Sequence, residues 1–191
     1  RLSLVGSEMC IRDRLMTITI DLLASGTETT TAAIGSGLKL LIEDPDALNN
    51  VLAEPTLIPT LAEEILRLES PAQGMFRRCA RSGNLAGVTL EEDELLNIRF
   101  GAANRDEAQF SEPDRINLQR KKPGSHLAFG MGRHVCVGAA LARQEIISAF
   151  QALTRRYDRF WLLPDRPEPV YQPSLFGRNL LSLHVGWSHR R

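Results

Sequence analysis

The sequence has few cysteines, the residues whose disulfide bonds stabilise small secreted proteins. It contains only three cysteines among 191 residues, at Cys10, Cys79 and Cys136. A sparse, odd set of cysteines argues against a disulfide framework and favours a reducing compartment. The first residues also lack the basic region, apolar run and small-residue cleavage site of a secretory signal. We therefore expect a cytoplasmic protein.

The sequence also lacks an excess of charge of one sign and a long apolar run. Twenty-three basic residues balance twenty-three acidic ones, so no basic stripe indicates a nucleic-acid partner. The most apolar stretch, residues 15–42, is interrupted by Asp21, Glu28 and Lys39. Because a membrane-spanning helix needs about 20 apolar residues, we expect no membrane segment. What is present is the composition of one globular domain, with 43% hydrophobic residues.

The first residues have an unusual composition. Residues 4–14 read Leu-Val-Gly-Ser-Glu-Met-Cys-Ile-Arg-Asp-Arg. This string resembles the in-frame translation of a transposon-end adapter used in DNA sequencing libraries. We therefore expect residues 1–14 not to be native, which leaves Cys10 without meaning, and the native chain to run over 15–191. The alternative is a native polar lead-in to the first helix.

Hydrophobic periodicity and chain breakers predict a mainly α-helical chain with a minor β portion. The first predicted helix, over 15–42, is apolar on most sides, as expected for a buried element. Thr60 and Glu63 have the spacing of a capping box at the start of a later helix. The other predicted elements are a short helix over 45–52, hairpins over 75–100 with turns at 82–84 and 91–93, a loop over 101–125, a helix over 137–157 and an extended segment over 180–187.

A glycine-rich loop brings Cys136 to the start of the predicted helix over 137–157. From Phe129 to Gly138 it reads Phe-Gly-Met-Gly-Arg-His-Val-Cys-Val-Gly. Glycines permit positive φ and let a flat ligand approach the backbone. A helix N-terminus favours thiolate over thiol, and a single sulfur in an apolar loop suits haem iron better than zinc. The alternative is a buried structural cysteine after a glycine turn.

The complete pattern favours the first of these interpretations. Phe-Gly-x-Gly-x-His-x-Cys-x-Gly, followed by Ala-Leu-Ala-Arg at 140–143, resembles the haem-binding signature of the cytochrome P-450 superfamily at every defining position. The resemblance implies haem b as cofactor and Cys136 as the axial ligand of its iron. It also implies that Phe129, Gly130 and Gly138 lie against the porphyrin.

The resemblance covers residues 15–191 and implies the C-terminal half of the cytochrome P-450 fold. That half consists of a long oxygen-groove helix, a Glu-x-x-Arg helix, small β hairpins, and the cysteine loop with its following helix. Family members carry about as much chain again before the long helix. We therefore expect the N-terminal half to be missing and this polypeptide alone to be inactive.

The middle of the first predicted helix reads Ser-Gly-Thr-Glu-Thr from Ser25 to Thr29. Ser25 and Glu28 have capping-box spacing, which leaves open that one helix ends here and another begins. Beside the cysteine loop, the segment resembles the family's oxygen-groove motif. A threonine hydroxyl bonded to a carbonyl one turn earlier can bend a helix and open a groove for dioxygen. The resemblance implies that Glu28 and Thr29 are catalytic residues of a proton relay, which favours a monooxygenase.

Two further sets of residues match family positions. Glu64 and Arg67 have the spacing of an ordinary surface ion pair, but the family couples Glu-x-x-Arg to an arginine in a Pro-x-Arg loop. Arg115 matches that arginine, which implies a structural network of these three residues under the haem loop. The second set consists of the matches to propionate-binding positions, each with an ordinary surface or core role as its alternative: Arg77, His126 and His134.

The resemblance implies a haem-thiolate monooxygenase that inserts one atom of O2 into a small organic substrate. Residues 71–76 and 175–178 would face that substrate, with plain core packing as the alternative. Electrons would come from a separate ferredoxin- or flavodoxin-type protein. Two other functions stay open: a non-catalytic helical module in which His134 and Cys136 help bind zinc, and a haem carrier or sensor without oxygenation.

Overall fold

In the computed structural model, which describes residues 2–190, one long helix dominates the N-terminal part of the chain. Helix α1 spans Leu2–Glu43, so it begins well before residue 15 and ends close to the predicted position. Residues 30–43 are mostly buried or half-buried, whereas residues 10–29 are exposed. The prediction of a buried helix is therefore confirmed for the second half of α1 and wrong for the first half.

Helix α2 follows α1 after a single residue. It spans Pro45–Ala53 and is capped by Asp44, whose side chain accepts a hydrogen bond from the Ala47 N–H at 3.0 Å. Proline suits this position because the first N–H of a helix has no intrahelical partner. The predicted restart of the helix after residue 44 is confirmed.

Helix α3 spans Ile58–Glu69 and supplies the largest share of the core. A 3-10 turn over Pro55–Leu57 leads into it, and no side chain caps its N-terminus. The predicted capping box of Thr60 and Glu63 is therefore wrong, and the Glu63 side chain has other partners. The apolar residues that α3 buries are Ile58, Leu61, Ala62, Ile65, Leu66 and Leu68.

Residues 2–190 contain six short strands in three separate two-stranded antiparallel sheets. Strand β1 pairs with β4, and the β2–β3 hairpin lies between them in sequence. The turn of that hairpin falls at Ala86 and Gly87, which both have positive φ, instead of at 82–84. The predicted turn at 91–93 is confirmed. The bounds are β1 Met75–Arg78, β2 Gly83–Leu85, β3 Val88–Leu90, β4 Leu95–Ile98, β5 Tyr157–Leu162 and β6 Val185–His189.

The C-terminal part follows the prediction with two additions. A short helix, α4, spans Phe100–Ala103 at the start of the predicted loop. Helix α5 spans Ala139–Arg156, close to the predicted 137–157. It leads directly into β5, which pairs with β6. Strand β5 was not predicted, because no glycine or proline separates it from the helix.

The second half of α1 packs against α3 and α5 in one core. Gly37 lies where these helices meet: a Cβ there would stand 2.5 Å from Ile65 Cδ1 and 2.9 Å from Phe150 Cζ. Any larger residue at position 37 would force these two side chains to shift. The predicted class, mainly α with a minor β portion, is confirmed. Within residues 2–190, no helix combines the length and apolar character needed to cross a membrane.

Candidate functional site

The loop over 129–138 presents Cys136 just before α5. Gly130 and Gly132 have φ angles of 69° and 79°, in the left-handed region that favours glycine. The backbone N–H of Cys136 donates to the carbonyl oxygen of Phe129 at 3.0 Å. This hydrogen bond closes the loop and fixes where the cysteine leaves it.

The Cys136 thiol is exposed in this chain, which argues against the alternative of a buried structural cysteine. Apolar neighbours are exposed with it: Val137 is 98% accessible and Leu141, on the first turns of α5, is 62% accessible. Gly138 lies next to the sulfur: a Cβ at position 138 would stand 3.9 Å from it, at ordinary van der Waals distance. An exposed sulfur among exposed apolar side chains fits a planar, largely apolar group that offers one coordination position to a thiolate.

Zinc has no ligand set in the part of the chain that the structure describes. There, no three His, Cys, Asp or Glu side chains lie close enough together to hold a metal ion. A structural zinc site needs four ligands, and His134 and Cys136 supply at most two. The donor set at Cys136 therefore suits haem iron better than zinc.

A buried ion pair lies within α3. Glu64 and Arg67 are both fully buried, and Arg67 Nε and Nη2 donate to the Glu64 carboxylate at 2.9 and 3.0 Å. Arg67 also donates to the carbonyl oxygens of Asn104, Pro113 and Arg115 at 3.0, 2.6 and 2.9 Å. The guanidinium thereby ties α3 to the segment over 104–115. Glu64 and Arg67 therefore form a buried ion pair with a structural role, and not a surface ion pair.

The third arginine of this network is Arg120, not Arg115. Arg120 Nε donates to Glu64 Oε1 at 2.8 Å. The Arg115 side chain is 76% exposed, lies 3.8 Å from Glu112, and joins the network only through its carbonyl oxygen. Burial alone would raise the pKa of Glu64, but hydrogen bonds from Arg67 and Arg120 lower it below its usual range. The Pro-x-Arg match indicated the right loop and the wrong arginine.

His126 belongs to a second buried cluster. Its Nε2 lies 2.9 Å from Glu63 Oε2, and its Nδ1 accepts a hydrogen bond from the Ala128 N–H at 3.2 Å. Arg143 Nε donates to the other Glu63 oxygen at 2.6 Å. Because both ring nitrogens have partners and the side chain is fully buried, the prediction that His126 binds a propionate is wrong.

The other residues predicted to contact haem are exposed or half-buried. His134 is exposed, and Arg77 is half-buried on β1, with Nη1 donating to the Phe76 carbonyl at 2.8 Å. The Arg143 guanidinium lies over the Phe129 ring, with Cζ 4.6 Å from the ring centroid. Haem contact by Arg77, His134, Phe129 and the two glycines at 130 and 138 stays a prediction.

Helix α1 is continuous through the acid–threonine motif, so the alternative of two helices is wrong. Thr29 Oγ1 donates to the Ser25 carbonyl at 2.7 Å, the bond predicted for this threonine. Ser25 in turn donates to the Asp21 carbonyl. Glu28 and Thr29 are both exposed, and the Glu28 carboxylate accepts a hydrogen bond from the Asn179 side-chain amide.

A groove of about 460 Å³ lies between this part of α1 and residues 179–183. The two segments predicted to face a substrate meet each other just before residue 179. The Gln73 N–H donates to the Phe176 carbonyl at 2.7 Å, and the Arg178 N–H donates to the Pro71 carbonyl at 3.0 Å. The fold therefore brings the two segments together, while their contact with substrate stays a prediction.

Sequence reasoning missed Glu63, Asn104 and Arg120 as parts of this arrangement. Adjacent residues on a helix do not share a face, so two consecutive acids on α3 were a signal for two separate networks. Asn104 accepts a hydrogen bond from the Leu127 N–H at 2.6 Å and donates to Ser70 Oγ at 2.8 Å. An asparagine in a loop usually forms a turn, so it gave no signal.

Comparison with known proteins identifies the family of the chain. The family model for Cytochrome P450 matches residues 7–183. The chain belongs to the cytochrome P450 family. It is 43% identical over 165 residues to cytochrome P450 107B1 of Saccharopolyspora erythraea, which covers 86% of this chain and 40% of that protein. It is 36% identical over 173 residues to 6-deoxyerythronolide B hydroxylase of the same organism, with coverage of 91% and 43%.

The solved structures agree with this assignment. The structure of CYP109E1 from Bacillus megaterium in complex with corticosterone superposes with a TM-score of 0.85 at 34% identity, covering 91% of this chain and 46% of that one. The chain spans 40% and 43% of the length of the two curated relatives named above. The predicted family and the partial cytochrome P450 fold are confirmed, and the family implies a haem-iron cofactor.

Proposed function

We propose that this chain is the haem-binding part of a haem-thiolate monooxygenase that inserts one atom of O2 into a small organic substrate. One observation carries the proposal: the Cys136 thiol is exposed before α5, in a glycine-rich loop with exposed apolar neighbours. This arrangement fits haem b with Cys136 as its axial ligand. Phe129, Gly130 and Gly138 would lie against the porphyrin.

Two basic residues would hold the haem carboxylates. Arg77 and His134 can each form a charge-assisted hydrogen bond with a propionate. The bound haem would supply dioxygen binding and activation, and electron donation from a thiolate favours O–O cleavage.

Glu28 and Thr29 would move protons from solvent to the oxygen groove. Glu28 is exposed and can exchange protons with water, while its carboxylate is oriented by Asn179. The Thr29 hydroxyl donates to the Ser25 carbonyl at 2.7 Å, which fixes its rotamer. The single hydroxyl proton of Thr29 goes to Ser25, so Thr29 would accept a hydrogen bond in this arrangement and would pass a proton to the groove by releasing the Ser25 carbonyl.

The electron donor would be a separate ferredoxin- or flavodoxin-type protein. The substrate would be a small organic molecule in contact with residues 71–76 and 175–178. A cytoplasmic location, and the exclusion of nucleic acid and membrane as partners, stay predictions from composition.

We also propose that residues 15–191 are the C-terminal half of a longer cytochrome P450 domain. The exposed first half of α1 carries large apolar side chains, among them Leu22 and Leu23, which are 63% and 65% accessible. Exposed apolar surface of this extent favours association or aggregation unless another part of the protein covers it. Residues 1–14 would be a translated adapter, and the genomic sequence upstream of residue 15 tests both statements.

The ligation proposal is tested on the full-length protein that contains residues 15–191. Reduced and exposed to carbon monoxide, it is expected to give a haem-thiolate spectrum. Cys136→Ser should abolish that spectrum, and Cys79→Ser is the matched control that should keep it. A histidine-type spectrum, or no haem band, would overturn the proposal.

Turnover separates a monooxygenase from a haem carrier or sensor. A monooxygenase consumes a reduced electron donor in a substrate-dependent manner, whereas a carrier or sensor binds haem without such consumption. Residues 15–191 alone are expected to show neither stoichiometric haem nor turnover. Soluble protein of this length with both properties would contradict the proposed need for an N-terminal half.

A further inference from the structure

A buried cluster of Glu63, His126 and Arg143 joins α3, the chain that leads to the cysteine loop, and α5. The His126 side chain is fully buried, and the Glu63 side chain is 13% exposed. Arg143 donates to both Glu63 oxygens, from Nε at 2.6 Å and from Nη2 at 3.2 Å. The cluster shares no residue with the Glu64–Arg67–Arg120 network. It attaches α3 to the segment just before the cysteine loop and to α5.

The contacts of His126 determine where its proton lies. A backbone N–H can only donate, so Nδ1 accepts from Ala128 at 3.2 Å. The neutral ring then carries its proton on Nε2, which donates to Glu63 Oε2 at 2.9 Å. Burial alone would raise the pKa of Glu63, but hydrogen bonds from His126 and Arg143 lower it to about 2. Glu63 is therefore a carboxylate at neutral pH and orients the ring.

From His126 the contacts continue to the cysteine. Ala128 directly precedes Phe129, whose carbonyl oxygen accepts the Cys136 N–H at 3.0 Å. The residue before Ala128, Leu127, is held through its own N–H by Asn104. The backbone is therefore fixed at consecutive residues just before the carbonyl that holds Cys136.

We infer that Glu63 and His126 are positioning residues that set the place of the Cys136 sulfur through the Ala128 N–H and the Phe129 carbonyl. This inference rests on the proposed ligation by Cys136. Neither residue touches the ligand atom, so both act through the loop backbone. Outer groups that orient a metal ligand typically change metal affinity about 10- to 100-fold when they are removed.

His126 allows variants that separate positioning from general support. In His126→Asn, the side-chain oxygen stands near the place of Nδ1 and can accept from Ala128, but the side chain is too short to reach Glu63. In His126→Gln, the terminal amide can reach Glu63 but offers no acceptor beside Ala128. Glu63→Gln removes the carboxylate charge, and Glu43→Gln is its matched control at the exposed pair with Lys39.

Two quantities are measured on the full-length protein: the rate of haem transfer to excess apoglobin, and the haem-thiolate fraction of the reduced carbon monoxide spectrum. Variants are compared at equal folded fraction, checked by circular dichroism. We expect His126→Gln to raise the rate of haem loss about 10- to 100-fold and to lower the thiolate fraction. His126→Asn should stay closer to wild type, Glu63→Gln should lie between them, and Glu43→Gln should match wild type.

Each outcome decides between the proposals. Equal behaviour of His126→Asn and His126→Gln, with an unchanged thiolate fraction, would overturn the positioning role and leave the proposed function intact. A wild-type protein without a haem-thiolate spectrum would overturn the proposed function and this inference with it. If the histidine variants do not fold, Glu63→Gln against Glu43→Gln gives the decision.

Discussion

The two halves of helix α1 have similar side chains and opposite surroundings. In the first half, residues 10–29 are all exposed, including Leu22 at 63%. In the second half, Leu41 is 1% exposed and packs with α3 and α5. The difference arises from what packs on the helix, because leucine has the same preference for burial in both places. Apolar character along α1 therefore predicts burial, and in this chain the prediction holds only for the second half of the helix.

The boundary between the two halves falls at the acid–threonine motif. Thr29 is exposed, while Thr30, the next residue, is 8% exposed. Cys136 lies in another exposed apolar region, at the start of α5. The residues proposed for chemistry are thus at the edge of the packed core, where a second half of the domain would meet the first. That placement explains why a well-packed chain can still leave its proposed site open.

The largest effect is expected inside the packed region. Arg67→Ala leaves Glu64 as a buried charge without its main partner, which typically costs about 3–5 kcal/mol in the free energy of unfolding. Urea unfolding of the full-length protein measures this loss. Arg115→Ala is the matched control, expected to change stability by less than about 0.5 kcal/mol because its side chain is exposed. Equal losses in the two variants would show that the ion pair does not hold α3.

A pair of leucine variants tests the comparison of the two halves directly. In residues 15–191 alone, Leu41→Ala should lower the free energy of unfolding by about 2–5 kcal/mol. Leu22→Ala should change it by less than about 0.5 kcal/mol, because that side chain is already exposed. In the full-length protein the cost of Leu22→Ala should rise towards that of Leu41→Ala. The same small cost in both proteins would refute a cover on the first half of α1.

Local features of the site were predictable from the sequence. The cysteine loop depends on glycines with positive φ and on the helix that follows, and both signals lie within a few neighbouring residues. Predicted helix bounds of 137–157 accordingly match the observed Ala139–Arg156 closely. The bond from Thr29 to the carbonyl of Ser25 is local as well, and it was predicted correctly.

Contacts between distant segments were not predictable in this way. Arg120 and Glu64 are 56 residues apart, and Arg115 in the same loop is an equally good chemical partner. The path of the loop decides which guanidinium reaches the carboxylate. His126 and Glu63 are 63 residues apart, and a histidine near a haem motif gives no sign that its ring is already paired. Whether His126 contacts haem or has a structural role depends on its burial and on that of Glu63. No local sequence pattern indicates this burial.

Acid pH should weaken the packed region through Glu63. Its pKa in the folded protein is about 2, below the ordinary 4.5, so its contribution to stability is complete above pH 4.5 and is lost as the pH falls towards 2. The full loss would be roughly 3 kcal/mol. Urea unfolding at a series of pH values should show this slope in wild type and a shallower one in Glu63→Gln. Identical slopes in the two proteins would mean that His126 and Arg143 do not stabilise the Glu63 carboxylate.

Substitution of Thr29, on the exposed half of α1, should have the smallest effect on stability and the largest effect on chemistry. Thr29 and Thr19 both donate to the carbonyl four residues earlier, at 2.7 and 2.8 Å, and both are exposed. Replacing either by alanine should change the free energy of unfolding by less than about 0.5 kcal/mol. In the full-length enzyme, Thr29→Ala should lower product formed per electron donor consumed roughly 100-fold, because a positioned proton donor is lost. Thr19→Ala should leave that ratio unchanged. If both variants lost the same amount of product per electron donor, the alanine would be disturbing the helix surface and not a proton relay at residue 29.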